Sequence, residues 1–195
     1  MMINELVKRF DYLIVAFFLL AGSLFLFRLA YLPIYTSTAI VLVLLWLFRE
    51  FIKKRYQIVP PIWVLFLLLG AIEVDAVGNL FGLYNRTFSV IQYDEISHCL
   101  ISGLVMPVVT WLLMLVINRN GFKLSVGFIA FFAFTTVFTF AGFYEVIELW
   151  DDKYMHPTPG WRIHSPYDSP NDLQWDLLGM GAGAIAAYFL LKKSQ

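Results

Sequence analysis

The fold is indicated most clearly by residues 91–117, which read IQYDEISHCLISGLVMPVVTWLLMLVI. After acidic and histidine side chains near its start, this stretch stays apolar for about 20 residues, the length that crosses the hydrocarbon core of a bilayer. Backbone polar groups cannot stay unpaired in hydrocarbon, so the stretch is expected to form a helix. The same sequence therefore combines a predicted membrane span with ionisable groups at one of its ends.

The composition of the whole chain also favours a membrane protein. Of 195 residues, 60% are hydrophobic and only 14% are charged, and the mean hydropathy is +0.73. Soluble domains carry about 45–50% apolar and about 25% charged residues, so the composition argues against a soluble or disordered chain. Fourteen basic and 14 acidic residues give a net charge of zero, which argues against a nucleic-acid partner. The single cysteine, Cys99, excludes an intrachain disulfide and a cysteine-cluster metal site.

Six stretches are predicted to be membrane-spanning helices, in one polytopic domain that covers residues 1–195. We therefore expect an all-α bundle of six transmembrane helices. The predicted spans are 12–32, 33–48, 62–83, 91–117, 124–150 and 175–191. The segment between the last two spans, residues 151–174, contains four prolines and is predicted to be an irregular loop.

The distribution of lysine and arginine predicts the orientation of the six spans. Ten of the 14 basic residues fall in the termini and in the two loops that share a side with them, and four fall on the opposite side. Short cytoplasmic loops carry an excess of positive charge, so both termini are predicted to be cytoplasmic and the 151–174 loop to face outward. The expected location is the plasma (inner) membrane of a bacterium or archaeon.

The acidic residues, unlike the basic ones, are concentrated on the predicted outer side. Eleven of the 14 carboxylates fall on the outer side or in the outer half of a predicted span. Four segments each bring two polar side chains to one helix face, because residues three or four apart are neighbours on a helix. These pairs are Asp75 and Asn79, Asp94 and His98, Glu145 and Glu148, and Asp172 and Asp176. In the predicted topology, all four pairs fall at the outer ends of their helices.

This convergence of acids predicts a metal site. Clustered carboxylates repel one another unless a cation lies among them, and an oxygen-rich site with one imidazole suits Mg²⁺, Mn²⁺ or Ca²⁺ and can take Zn²⁺. The predicted ligands of one divalent ion are His98, Glu145, Glu148 and Asp176. The candidate catalytic residues are His98 and Asp94, and the supporting polar residues are Asp75, Asn79, Asp168 and Asp172. Arg86 and Arg162 are predicted to contact a phosphate-bearing head group.

The same residues also have a purely structural interpretation. In this interpretation, His98 hydrogen-bonds Asp94 and only helps to hold two helices together. Protonated Glu145 and Glu148 would serve as hydrogen-bond donors between helices. Asp172 is a favoured N-cap residue for the last helix.

Two other sets of residues are interpreted as structure rather than chemistry. Gly179 and Gly183, with alanines around them, predict a helix face that packs closely against the helices that carry the polar pairs. The side chains expected to be solvated at the outer surface are Glu95, Asp151, Asp152, His156 and His164.

Four polar segments follow one another in a recognisable order. They are VDAVGN (74–79), YDEISH (93–98), YEVIE (144–148) and DSPNDLQWD (168–176), the last running into Gly179. In this order they resemble the YjdF-like family of bacterial inner-membrane proteins. The resemblance covers residues 60–190 and implies a polytopic inner-membrane protein, with no established catalytic residues to transfer. The same skeleton is distantly similar to VanZ-like membrane proteins, although Asp176 stands where asparagine is expected and Glu148 where glutamine is common.

Three functions stay open at this point. The first is an enzyme or binding protein at the outer membrane face that acts on a lipid or cell-envelope head group with the help of the ion. The second is a non-catalytic scaffold whose acids form a structural polar network. The third is a cation or proton-coupled transporter, since buried acids mark such pathways, although no ionisable residue is predicted deep in the inner half of a span. The expected partners are membrane lipids, and the oligomeric state is left open.

Overall fold

Helices account for most of the chain, which divides between Leu80 and Phe81 into two units. A computed structural model describes residues 32–88, 90–157, 162–163 and 165–192. The first predicted span, 12–32, therefore lies almost entirely outside the described residues. The remaining predicted spans are compared below with the helices that the structure contains.

The first unit contains helix α1, Leu32–Tyr56, and helix α2, Ile62–Leu80. Helix α1 continues past the predicted end of the second span at residue 48. Its last turn carries Lys53, Lys54 and Arg55. Lysine and arginine are good helix formers and are favoured near the negative end of the helix dipole, so the helix extends beyond its apolar part.

The second unit contains three long helices, preceded by a short hairpin. After a 3-10 turn over Leu83–Asn85, strands β1 (Thr87–Phe88) and β2 (Ile91–Gln92) pair antiparallel. The long helices are α3 (Tyr93–Arg119), α4 (Val126–Trp150) and α5 (Asp168–Lys192), and a π-helix (Asp151–Met155) continues α4. The hairpin is an addition to the predicted all-α fold, which is otherwise what the described residues show.

Two of these helices begin at capping residues. At the start of α3, the backbone N–H of Gln92 donates to Oε2 of Glu95 at 3.0 Å, and the Gln92 side chain completes the capping box. At the start of α4, Oγ of Ser125 accepts a hydrogen bond from the backbone N–H of Phe128 at 3.3 Å. The first cap determines where α3 starts, and it therefore places His98 in the second turn of that helix.

Helix α5 begins at Asp168, earlier than the predicted span 175–191. Pro170 lies in its first turn, where the missing N–H removes no helical hydrogen bond. Asp172 and Asp176 are therefore both inside the helix and on one face. The interpretation of Asp172 as an N-cap is wrong, because the helix starts four residues before it.

Helices α3 and α5 approach each other closely at glycines. A methyl group added to Gly179 would overlap the carbonyl oxygen of Cys99, and one added to Gly183 would lie 2.5 Å from the carbonyl oxygen of Gly103. Only glycine lets the two backbones come this near. The prediction of a close-packing face on the last helix is confirmed.

The core of the second unit lies where its three helices meet. Met106 of α3, Ala133 and Val137 of α4, and Met180 of α5 are buried together. Many aromatic side chains of α4 point away from this core, and Phe140 is 70% exposed. An exposed aromatic surface of this kind is expected where a helix faces lipid.

Three helical stretches among the described residues are long and apolar enough to cross a membrane: Ile62–Asn79, Tyr93–Arg119 and Val126–Met155. They correspond to the third, fourth and fifth predicted spans. The second and sixth predicted spans, in α1 and α5, are not among them. Six spans and two cytoplasmic termini therefore stay predictions.

Candidate functional site

The three long helices of the second unit alternate in direction, so that the start of α3, the end of α4 and the start of α5 share one end of the unit. Polar side chains from all three meet there. We call this group the acid–histidine cluster, and its members are Asp94, His98, Glu145, Asp172 and Asp176. Three of the four predicted pairs thus contribute to one place.

A hydrogen bond between α3 and α5 holds the imidazole of the cluster. Nδ1 of His98 lies 3.1 Å from Oδ2 of Asp176, and the two residues are only 9% and 4% exposed. Ser102 supports the same contact, since its hydroxyl donates to the backbone oxygen of His98 at 2.7 Å and lies 3.2 Å from that of Asp176. When Nδ1 carries the proton and donates it to Asp176, Nε2 presents a lone pair on the other side of the ring.

Carboxylates surround that second ring nitrogen. Nε2 of His98 lies 3.8 Å from Oδ1 of Asp94 and 3.8 Å from Oε1 of Glu145. Ligand atoms of Asp94, His98 and Asp172 all lie within 4.8 Å of one another. An ion placed among them would be within reach of all three side chains.

One oxygen of the cluster lacks a hydrogen-bond partner. Glu145 is 6% exposed, and its Oε1, the atom that faces His98, makes no hydrogen bond among the described residues. A buried carboxylate oxygen left in this state is costly. The residues present therefore fit a cation, which would supply the missing partner.

The carboxylates of the cluster also make it harder for one another to ionise. Asp172 is 2% exposed. Burial, together with the carboxylates of Asp94 and Glu145, raises its pKa to about 8, in spite of the opposing effect of His98. A cation among these carboxylates would favour their ionised forms.

Glu148, a predicted metal ligand, has an arginine partner. Nη1 of Arg162 donates to Oε1 of Glu148 at 3.0 Å, and Nε of Arg162 donates to Oδ2 of Asp151 at 2.7 Å. Burial alone would lower the pKa of Arg162, but these hydrogen bonds raise it above its ordinary value. The hydroxyl of Tyr144 lies 3.3 Å from the same Nη1, so the guanidinium is held against the end of α4.

The segment around Arg162 is attached to the π-helix. The backbone N–H groups of Arg162 and Ile163 donate to the carboxylate of Asp152 at 2.8 and 3.0 Å. Nδ1 of His156 lies 2.9 Å from Oδ1 of Asp151. Asp151 and Asp152 are not merely solvated, because both accept specific hydrogen bonds. His156 is exposed, as expected of a surface histidine, and His164 lies outside the described residues.

Glu95 is a further correction to the expected surface set. It is only 9% exposed, and besides its contact with Gln92 it accepts a hydrogen bond from Nδ2 of Asn171. This contact joins the first turn of α3 to the first turn of α5, directly beside the acid–histidine cluster. The capping-box spacing from Gln92 to Glu95 is visible in the sequence, but the partner on α5 is not.

The other residues singled out from the sequence lie elsewhere or play a different part. Asp75 and Asn79 belong to the first unit, where Nδ2 of Asn79 donates to Oδ1 of Asp75 at 3.2 Å. Arg86 is exposed in the turn before β1, and its backbone oxygen accepts from the N–H of Tyr93 at 3.3 Å. Asp168 is the first residue of α5. The sequence did not indicate the hydrogen bonds of Ser102 and Tyr144. Serine and tyrosine are common in helices, and nothing in their spacing marks them as part of a site.

Comparison with known proteins adds a family to this geometry. No curated protein and no solved structure matches the chain. A family model described as a predicted membrane protein (DUF2238) matches residues 11–194. The match covers almost the whole chain and agrees with its apolar helices. Similarity to VanZ-like proteins is not shown by this match. The chain is therefore a membrane protein that belongs to the DUF2238 family, which is the YjdF family.

Proposed function

We propose that this protein binds one divalent cation in the acid–histidine cluster and uses it to engage a lipid or cell-envelope head group at the outer membrane surface. The observation that carries the proposal is the buried Oε1 of Glu145, which has no hydrogen-bond partner within the described part of the chain and lies 3.8 Å from Nε2 of His98. Removing such a group from water without a partner costs about 1–3 kcal/mol or more. A cation beside it would offset this cost.

The proposed ligands are Nε2 of His98 and the carboxylates of Asp94, Asp172 and Glu145. Two of the four ligands predicted from the sequence, Asp176 and Glu148, are assigned other roles. Asp176 orients the imidazole, since the second ring nitrogen of a metal-binding histidine usually donates to a carboxylate or carbonyl. Glu148 forms an ion pair with Arg162.

Three carboxylates and one imidazole suit Mn²⁺, Mg²⁺ or Ca²⁺, and also Zn²⁺. Such an ion, when bound, would polarise a phosphoryl or ester oxygen of the head group or lower the pKa of a bound water. The protein's own part is to hold the ligands in place through Asp176, Ser102 and the glycine contact between α3 and α5.

A structural scaffold is the second candidate. The hydrogen bonds from His98 to Asp176 and from Ser102 across the same helix pair would serve a scaffold equally well. Transport is less well supported, because residues 99–118 of α3 and 126–144 of α4 include no Asp, Glu, Lys, Arg or His that would continue a polar pathway.

The test is the metal content and Mn²⁺ affinity of the detergent-purified protein. We expect about one equivalent of a divalent metal by elemental mass spectrometry, as a single cluster predicts. Titration of the chelator-treated protein with Mn²⁺ should give a binding isotherm that is lost in His98→Gln and Glu145→Gln. Glu50→Gln is the matched control, since Glu50 lies in the first unit and pairs with Lys53.

Absence of bound metal and of any Mn²⁺ isotherm in the wild-type protein would exclude the cation site. If the two cluster variants then lower only the melting temperature, the acids and His98 act as a scaffold. Equal Mn²⁺ binding by wild type and both cluster variants would also contradict the proposal, because it would place the ion elsewhere.

A further inference from the structure

We propose that the open groove beside the acid–histidine cluster binds a phosphate-bearing membrane lipid, with the phosphate at Arg162 and an acyl chain along the apolar wall. This inference rests on the proposed function, since it names the class of lipid whose head group would reach the cation. The groove has a volume of about 590 Å³. Its wall is formed by Tyr144, Ile147, Trp150, Tyr154 and Met155, with Asp151 and Arg162 as its charged members.

The position of the groove favours a lipid as its occupant. It follows the last turns of the candidate span Val126–Met155, where a membrane helix reaches the head-group region. Ile147 and Trp150 are 54% and 56% exposed there. Tryptophan and tyrosine are enriched at this level of a bilayer. A free phosphate ion would leave this apolar wall uncovered, whereas an acyl chain would cover it.

Arg162 supplies the phosphate-binding end of the groove. Its side chain is 42% exposed although its Nε and Nη1 are held by Asp151, Glu148 and Tyr144. Among the described contacts none uses Nη2, so the exposed edge of the guanidinium has donors left for a phosphate oxygen. A guanidinium already fixed in place also loses little conformational freedom on binding.

Tyr144 connects the groove with the cluster. Its ring lines the groove, its centroid lies 6.1 Å from that of the His98 ring, and its hydroxyl lies 3.3 Å from Nη1 of Arg162. A phosphate bound at Arg162 therefore stands beside the proposed cation. The two sites share one wall.

The local charge makes lipid binding depend on the cation. Arg162 is surrounded by the carboxylates of Asp151, Asp152 and Glu148, and the cluster adds further acids. An anionic phosphate would be repelled by this excess of negative charge. A divalent ion in the cluster offsets it, so phospholipid and cation should bind together.

The experiment measures lipid retention by native mass spectrometry in a mild detergent. The full-length protein, loaded with Mn²⁺, is incubated with dioleoylphosphatidylglycerol or with dioleoylglycerol, which lacks the phosphate. We expect the protein to retain the phospholipid and to lose dioleoylglycerol. Retention should fall at least about tenfold in Arg162→Gln, which removes charge-assisted hydrogen bonds. It should also fall in Ile147→Trp, which fills the groove, and in EDTA.

Arg119→Gln is the matched control, because Arg119 is an exposed arginine at the opposite end of α3. Equal retention of dioleoylglycerol, displacement of the phospholipid by inorganic phosphate, or an equal loss in Arg119→Gln would each overturn the lipid site. Mn²⁺ titration of the lipid-free protein separates the two proposals. Mn²⁺ binding without lipid retention contradicts this inference alone, whereas failure of Mn²⁺ to bind contradicts both.

Discussion

Nδ1 of His98 and Oδ2 of Asp176 lie 3.1 Å apart, although 78 residues separate them in the chain. This contact joins the second turn of α3 to the third turn of α5 inside the protein. It fixes the plane of the imidazole and directs Nε2 towards Asp94 and Glu145. A carboxylate that orients a histidine in this way is the arrangement found behind many metal-binding histidines, and the proposed cation would lie on the Nε2 side of the ring.

Replacing Asp176 by asparagine should weaken cation binding without abolishing it. Loss of an outer-shell partner typically lowers metal affinity by about 10–100-fold. We therefore expect Asp176→Asn to weaken Mn²⁺ binding to this extent in isothermal titration, while His98→Gln removes binding. The amide can still accept a hydrogen bond, so the protein should stay folded. A complete loss of binding in Asp176→Asn would mean that Asp176 is itself a ligand.

Replacing Gly179 by alanine should push α3 and α5 apart. The new methyl group would overlap the backbone of Cys99 and the hydroxyl of Ser102. Such overpacking typically costs about 1–3 kcal/mol, and backbone atoms cannot move aside as a flexible side chain could. We expect Gly179→Ala to lower the melting temperature and the Mn²⁺ affinity together. Gly181→Ala is the control, since a methyl group there meets nothing within 4 Å; equal melting temperatures for the two variants would contradict the close contact.

The contact between Glu95 and Asn171 should contribute measurably to stability. Both side chains take part in joining the first turns of α3 and α5, and Glu95 is 9% exposed. Removing Asn171 takes this partner from Oε1 of the buried Glu95, while Oε2 keeps its hydrogen bond from Gln92. Loss of one such partner costs about 1–3 kcal/mol. A double-mutant cycle with Glu95→Ala and Asn171→Ala should show a coupling energy above about 0.5 kcal/mol in melting experiments. Strict additivity of the two substitutions would show that the contact does not stabilise the protein.

Without a cation, the protein should lose stability as the pH rises. Asp172 has a pKa raised from 3.8 to about 8, and the groups that face it are His98, Asp94, Glu145 and Asp168. The folded state therefore binds more protons than the unfolded state between those two pH values. The free energy of unfolding falls with increasing pH in this window, by at most about 1.4 kcal/mol per pH unit for one group.

The measurement for this prediction is the melting temperature in EDTA from pH 5 to pH 8. Asp172→Asn should flatten the decline, because the amide has no proton to lose. Added Mn²⁺ should restore stability most at the high end of the range, where the carboxylates are ionised. A melting temperature that rises with pH in EDTA would contradict the assignment of a raised pKa to Asp172.

Local spacing was sufficient to predict several parts of this structure. Asp94 and His98 share a face because four residues make about one helical turn, and the same holds for Asp172 and Asp176. The glycine spacing at 179 and 183 predicted the close helix contact. These features depend on a few consecutive residues, so no tertiary information was needed.

Other parts of the candidate site could not be predicted in this way. Glu95 was expected at the surface, and the ion pair of Glu148 was not predicted. Their partners, Asn171 and Arg162, lie 76 and 14 residues away. Nothing in the local pattern around either glutamate indicates which of these distant polar side chains it will face.

The sequence by itself determined that this is a membrane protein of apolar helices with ionisable groups at their ends, because hydrophobic length and helical periodicity are local properties. Only the tertiary structure decided which atoms meet: His98 with Asp176, and Arg162 with Glu148. It also leaves Oε1 of Glu145 without a hydrogen-bond partner among the described residues. These contacts depend on how far each helix is rotated and shifted against its neighbours. That register is set collectively by the glycine contact of α3 and α5 and by the packing of Met106 and Met180, which no single stretch of the chain contains.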